Sequence, residues 1–176
     1  MKWDYEFDVV VVGSGNGALT SAICSHDGGA KTLVIEKSDQ YGGTSATSGG
    51  GVWIPNNRYA KAEKVDDSDQ DARDYINSVS PEGKIKDELV ETYIAEGPKM
   101  IDYLHENSQV KYRNLAHYPD YFPDNPGGKA GNRSMEPEPI KGTELGDDLG
   151  RLRGQHPHSA FTMGPINMNF TQVEGQ

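Results

Sequence analysis

Phe7-Asp8-Val9-Val10-Val11-Val12-Gly13-Ser14-Gly15-Asn16-Gly17-Ala18 is the stretch that decides the fold. Four consecutive valines suit a strand buried on both faces of a parallel sheet, where β-branched side chains pack without alternating polarity. The glycines end that strand. Gly13 permits a tight turn, Gly15 lets the backbone approach a phosphate closely, and Ala18 is small enough for helix and strand to pack. Ala18, Leu19, Ala22 and Ile23 then recur at helical spacing as far as Gly28-Gly29, a C-terminal stop. Lys31-Thr32-Leu33-Val34-Ile35-Glu36 follows as a second buried strand ending in an acid. Strand, glycine turn, helix and strand make a right-handed βαβ unit.

Glu36 stands near the offset of roughly 20 residues at which a carboxylate accepts hydrogen bonds from a nucleotide's ribose hydroxyls. The plainer reading is a glycine turn beside a solvated acid, and the strand-turn-helix context argues against it. A second amide-rich segment lies just beyond, Gly42-Gly43-Thr44-Ser45-Ala46-Thr47-Ser48-Gly49-Gly50-Gly51. It offers backbone amides and the hydroxyls of Thr44, Ser45 and Ser48 without bulky side chains. That suits a cofactor whose diphosphate is held along its length. The pairing of the two loops points to a flavin dinucleotide.

Composition limits the rest. Only 34% of the 176 residues are apolar, with 21 glycines and 10 prolines, against a usual apolar share of roughly 45–50%. The core is therefore expected to be local. A formal charge of −10 opposes nucleic-acid binding, which needs clustered cations to displace counterions. An anionic cofactor remains compatible, because backbone amides at a helix N-terminus bind phosphate without net positive charge. The single cysteine, Cys24, forms no internal disulfide and is expected as a small buried packing residue, in a reducing, cytoplasmic setting. No secretory h-region opens the sequence, and no stretch approaches the roughly 20 apolar residues that span a bilayer. The expectation is a protein without an integral membrane segment, with peripheral membrane contact left open.

Beyond the loops, Val52-Trp53-Ile54-Pro55 is expected to end regular structure, with Trp53 packing beneath the loop. Ala72, Tyr75, Ile76 and Val79 predict an amphipathic helix capped by Asp66 or Ser68. A second helix is expected over about 84–96, carrying Ile85, Leu89, Val90, Tyr93 and Ile94. Gly97-Pro98 should interrupt it, with Pro98 opening a third helix through Met100, Ile101 and Leu104. His105 falls at that helix's C-terminus. Val110-Lys111-Tyr112 reads as a short strand. From Tyr118 to Gly154 proline, glycine and charge dominate, and no aliphatic run resembles the early strands. A dinucleotide fold needs further parallel strands, so the domain is expected to be incomplete. His156-Pro157-His158 reads as surface loop rather than metal pair, and no metal site is expected. The predicted class is α/β, a Rossmann-like βαβ unit over 1–58, a helical cap segment over 59–112, and a Pro/Gly-rich region over 113–176.

The words VVVVGSGNGALTSA (9–22), LVIEKSDQYGGTSATSGGGVWIPNN (33–57) and HYPDYFPDNPGG (117–128) resemble the 3-ketosteroid Δ1-dehydrogenase branch of the fumarate reductase/succinate dehydrogenase flavoprotein superfamily. The resemblance runs to about Gly131. It implies that Gly13, Ser14, Gly15, Asn16, Gly17 and Ala18 contact the diphosphate of FAD and Glu36 its ribose. It places Lys37 and Ser38 beside the adenosine. Gly43, Thr44 and Ser45, then Ser48, Gly49, Gly50, Gly51 and Val52, would run along the ribityl and flavin portions. Membrane succinate dehydrogenases carry a flavin-linked histidine before their glycine pair. Here no histidine occurs between Asp27 and His105, so FAD is expected to be noncovalent. Tyr121 matches a tyrosine that supports a downstream catalytic base.

The implied reaction removes two hydrogens from adjacent ring carbons beside a ketone, with a steroid-like substrate and an external electron acceptor. Its main base and carbonyl-polarising groups are expected outside this sequence, which reads as the N-terminal portion of such an enzyme. Two alternatives stand beside it. A fumarate-reductase-like enzyme would need an arginine acid and carboxylate-clamping cations, of which the acidic stretch 63–102 offers little. A noncatalytic flavin-binding fragment would suit the unfinished sheet.

Overall fold

The computed structural model describes residues 3–154. Of these, 3–50 and 139–154 form one compact unit, and Gly51–Glu138 forms another. In the first unit β1 (Val9–Val12) and β2 (Thr32–Ile35) pair in parallel, Val9 opposite Thr32 and Val12 opposite Ile35. The connecting α1 (Asn16–Asp27) packs on both strands. It stops where expected, with the Gly28 amide donating to the Cys24 carbonyl at 3.0 Å and Gly29 at φ +88°.

Two expectations fail here. The strands are not buried on both faces, since Val10 is 52% and Val12 78% exposed, and Val34 and Ile35 are exposed as well. In β1 exposure alternates, because α1 covers one face and the side chains turned the other way meet no comparable layer among the described residues. Cys24 is likewise exposed rather than packed. A helix lying on only two strands buries little, and no residue of α1 is fully buried.

The chain leaves β2 through Tyr41–Gly51 and a short 3-10 turn at Ser45–Thr47. Gly42 has φ +105°, and a Cβ there would lie 2.6 Å from that of Ala46, so only glycine fits. Residues 142–151 form 3-10 turns kinked at Gly146. They lead the chain back to this loop, where the Tyr41 amide donates to Arg151 O and the Arg153 amide to Tyr41 O, both at 2.9 Å.

The second unit holds an antiparallel sheet of order β3-β5-β4, formed by β3 (Val52–Trp53), β4 (Tyr112–Asn114) and β5 (Ser134–Pro137). Val52 faces Met135, and Arg113 faces Glu136. Val52-Trp53 thus begins a sheet instead of ending regular structure. A strand also lies within the Pro/Gly-rich region, where aliphatic runs gave no sign of one. Its buried charge is paired through one oxygen, since Glu136 is fully buried and its Oε1 accepts from Arg113 Nε at 2.6 Å, while Oε2 has no partner among the described residues.

Three helices cover this sheet region: α2 (Arg58–Ala62), α3 (Asp69–Val79) and α4 (Asp87–Asn107). Ser68 caps α3 reciprocally, accepting from the Asp71 amide at 3.1 Å and donating to its carboxylate at 2.8 Å. α4 corrects the expected break at Gly97-Pro98, for it runs unbroken through both residues. An interior proline costs about 3 kcal/mol through its missing donor and ring clash. Val90, Ile94, Gly97, Ile101 and Leu104 form one buried stripe across it, and each large apolar side chain contributes about 1.5–3 kcal/mol. Burial of Ile101 and Leu104 therefore outweighs the local penalty. Gly97 lets the helix lie close to Ile54, whose Cδ1 would be 3.2 Å from an added Cβ.

Ile54, Ile101, Tyr112 and Met135 form one core cluster, and Ala72, Val90 and Ile94 another. Beside them lies a buried charge network. Arg133 reaches Asp67 at 2.7 Å and Asp120 at 2.9 Å, with all three side chains nearly inaccessible. The rings of Trp53 and Tyr75 lie 5.4 and 5.7 Å from its guanidinium carbon, and Trp53 Nε1 donates to Asp120 at 2.6 Å. Trp53 accordingly packs within the second unit, its ring beside those of Tyr75 and Tyr93. His105 stands in the last turn of α4, its Nδ1 2.9 Å from the Tyr59 hydroxyl.

Candidate functional site

In the first unit a cleft of about 570 Å³ opens where β1 and β2 end, between the two glycine loops. Gly13, at φ +97°, turns the chain out of β1 and donates its amide to the Ile35 carbonyl at 2.7 Å. That bond sets Gly13-Ser14-Gly15 beside Glu36. Gly15 faces the second loop, where an added Cβ would meet Ser45 Oγ at 3.3 Å. The same oxygen accepts from the Asn16 amide at 3.0 Å, joining the start of α1 to that loop.

Ser14 is 3% exposed and makes the central connection. Its hydroxyl donates to Glu36 Oε2 and accepts from the Gly42 amide at 2.9 Å. The other carboxylate oxygen of Glu36 accepts from the Ser38 amide at 3.1 Å. The Ser14 hydroxyl first, and then the Ser38 amide, hold Glu36 below the usual carboxylate range against the opposing effect of burial. Glu36 is therefore an anion at neutral pH. Two protein donors leave it further lone pairs for a diol.

Of the residues expected here, Gly13, Ser14, Gly15, Glu36, Lys37, Gly43, Thr44 and Ser45 line the cleft. Asn16, Gly17 and Ala18 form the first turn of α1. Ser38 supports Glu36 from behind through its amide. Ser48 closes a local turn by accepting from the Gly50 amide at 3.1 Å. Gly51 and Val52 belong to the second unit, Val52 within β3. Tyr121 also lies in that unit and is 82% exposed, next to the buried Asp120. Its neighbour Tyr118 is pushed above the usual phenol range by burial, and further by Tyr121. His156-Pro157-His158 lie outside the described residues.

Sequence reading missed Arg153, which lines the same cleft. Its Nε is shielded from solvent and has no hydrogen-bond partner among the described residues. An arginine in a glycine-rich stretch carries no periodic signal, and only the bridge from Leu152 to Tyr41 reveals its place. A dinucleotide fits this donor set. Amides and a guanidinium suit a diphosphate, a fixed carboxylate suits a ribose, and glycines keep the floor clear of side chains.

The model of the FAD binding domain family matches residues 8–171. The 3-oxosteroid 1-dehydrogenase of Mycolicibacterium smegmatis is 40% identical over 169 residues, covering 96% of this chain and 29% of that protein. The protein of the same name from Mycobacterium tuberculosis H37Rv is 41% identical with equal coverage. The crystal structure of 3-ketosteroid Δ1-dehydrogenase from Sterolibacterium denitrificans, in complex with 1,4-androstadiene-3,17-dione, superposes with a TM-score of 0.80 at 41% identity. That match covers 85% of this chain and 26% of the solved one. The chain thus spans less than a third of the length of these relatives. Among the described residues no helix is long and apolar enough to cross a membrane.

Proposed function

Because the chain belongs to the FAD binding domain family, we propose that it forms the FAD-holding part of a dehydrogenase acting on 3-ketosteroid-like substrates. The reaction is removal of two hydrogens from adjacent ring carbons beside a ketone, with electrons passed to an external acceptor. The observation that carries the cofactor half is the cleft holding Glu36 as an anion between two glycine loops. Relatives at 40–41% identity, named 3-oxosteroid 1-dehydrogenases, support the substrate half.

FAD, held noncovalently, would supply the hydride acceptor. Within the chain, the segment Gly13 to Ala18 lies along the diphosphate, its Gly13 and Asn16 amides being already engaged by Ile35 O and Ser45 Oγ, and Glu36 accepts from the ribose hydroxyls. Lys37 and Ser38 lie beside the adenosine. Gly43 to Ser45 and Ser48 to Val52 follow the remainder of the cofactor. Ser14 keeps Glu36 ionised and oriented, so the ribose meets an acceptor already in place. Tyr121 is proposed as a positioning residue for a catalytic base supplied elsewhere in the full enzyme; its side chain is exposed and interacts with Tyr118. A reducing, cytoplasmic setting completes the reading.

One observation favours a second reading, a noncatalytic FAD-binding segment. The outward side chains Val10, Val12, Val34 and Ile35 are exposed, as suits a parallel sheet that is incomplete. Absorbance spectra of the purified chain with added FAD test the shared premise. Bound-flavin bands retained through gel filtration are expected, and a colourless protein overturns both readings. Dye reduction with a 3-ketosteroid by a flavin-loaded longer product that contains this chain decides between them. Turnover supports the dehydrogenase, and its absence in a flavin-loaded longer product favours the noncatalytic segment.

A further inference from the structure

Arg153 is placed by backbone hydrogen bonds, yet its Nε meets no hydrogen-bond acceptor among the described residues. Tyr41 holds it in register from both sides, its amide donating to Arg151 O and its carbonyl accepting from Arg153 N. Leu152 packs beneath, its Cδ1 3.3 Å from where a Cβ on Gly42 would lie. Arg153 lines the cleft with Gly13, Gly15 and Glu36. No carboxylate among the described residues pairs with it, whereas the neighbouring Arg151 reaches Asp148 at 3.5 Å. A shielded Nε without an acceptor is costly unless a ligand supplies one.

We propose that Arg153 is a phosphate-binding residue of this cleft, donating charge-assisted hydrogen bonds to the diphosphate of the bound dinucleotide. Phosphate is the partner its chemistry selects. A guanidinium presents a planar fork of donors that matches two phosphate oxygens, and it stays charged at every working pH. The glycine turn supplies amides from one side, while Arg153 supplies the compensating full charge from a segment more than a hundred residues later in the sequence. An acidic protein of charge −10 gains most from such a local cation, because its overall field repels the anion. This inference rests on the FAD reading above.

Binding of FAD, ADP and adenosine to the 176-residue chain tests it, with FAD followed by flavin fluorescence and the other two by calorimetry. Arg153→Gln is expected to weaken FAD and ADP about tenfold or more, as loss of a charge-assisted hydrogen bond should, and to leave adenosine unchanged. Arg153→Lys should recover part of the loss, and ligand-free thermal midpoints should match the parent. Unchanged FAD and ADP affinity in Arg153→Gln overturns the proposal while leaving the FAD reading intact. So does an equal loss for adenosine, or a fall in the ligand-free midpoint large enough to account for the weakening. A parent chain that binds ADP but not FAD removes the FAD reading and leaves the arginine's role standing if the variant loses ADP. A parent chain that binds none of the three overturns both.

Discussion

The two compact units differ in what holds them together. Every buried apolar side chain among the described residues, from Ile54 to Met135, belongs to the second unit, whereas the buried side chain in the first is a hydroxyl, Ser14. The second unit has a core of aliphatic and aromatic residues locked by the Arg133 network. The first is an arrangement of turns, amides and one anchored carboxylate around a cleft. Apolar burial supplies most folding free energy. The first unit therefore has the most to gain from a ligand, and the second the most to lose from a core substitution.

Three experiments probe that contrast, beginning with the largest effect. Arg133→Met leaves Asp67 and Asp120 buried without their cation, and should cost about 3–5 kcal/mol. Urea unfolding of the variant and parent measures it. A loss below about 1 kcal/mol would show that the network is not what locks the second unit. Next, FAD at a hundred times its Kd should add about 2.7 kcal/mol to whatever unfolding exposes the cleft. Hydrogen exchange should report this as protection gained in β1, α1 and β2 with little change along α4. Equal gains in both units would show that the cofactor does not stabilise the first unit selectively. The smallest effect is titration of Glu36. Its folded pKa lies below the ordinary 4.5, so its stabilising contribution is complete above that value and is lost as pH falls through the folded pKa. Ser14→Ala removes the principal cause and should move the Glu36 titration upward, as read by carboxyl NMR. An unmoved titration would show that the backbone amides of Ser38, Lys37 and Ser14 suffice to hold the carboxylate.

Legibility in the sequence divides along the same line. The βαβ unit could be read because each of its steps has a local chemical cause. Four valines mark a strand, Gly13 makes a turn that needs positive φ, and Gly28-Gly29 ends a helix. The burial expected of those strands failed because a valine run reports a preference for burial, and covering it depends on neighbours that the local sequence does not specify. β5 was hidden for the opposite reason. Ser134-Met135-Glu136-Pro137 looks like loop, and Glu136 is buried only because Arg113 stands opposite it on β4. The break expected at Pro98 was a local rule overridden by a stripe continuing from Val90 to Leu104. At the cleft, Gly13, Gly15 and Glu36 were visible through their spacing. Arg153 was not, since its position follows from a bridge between Tyr41 and Leu152 that spans more than a hundred residues.

Ser14 gives and receives a proton-mediated contact with the same oxygen, one to Glu36 and one from Gly42. That double duty sets a substitution rule for the position. Alanine removes both bonds, a carboxylate would repel Glu36, and an amide is too large for a site 3% exposed; only another small hydroxyl keeps the circuit closed. It also makes the two glycine loops a single heritable part. A graft that moved the first loop into another scaffold without Gly42 would carry the ribose acid but not the geometry that aims it.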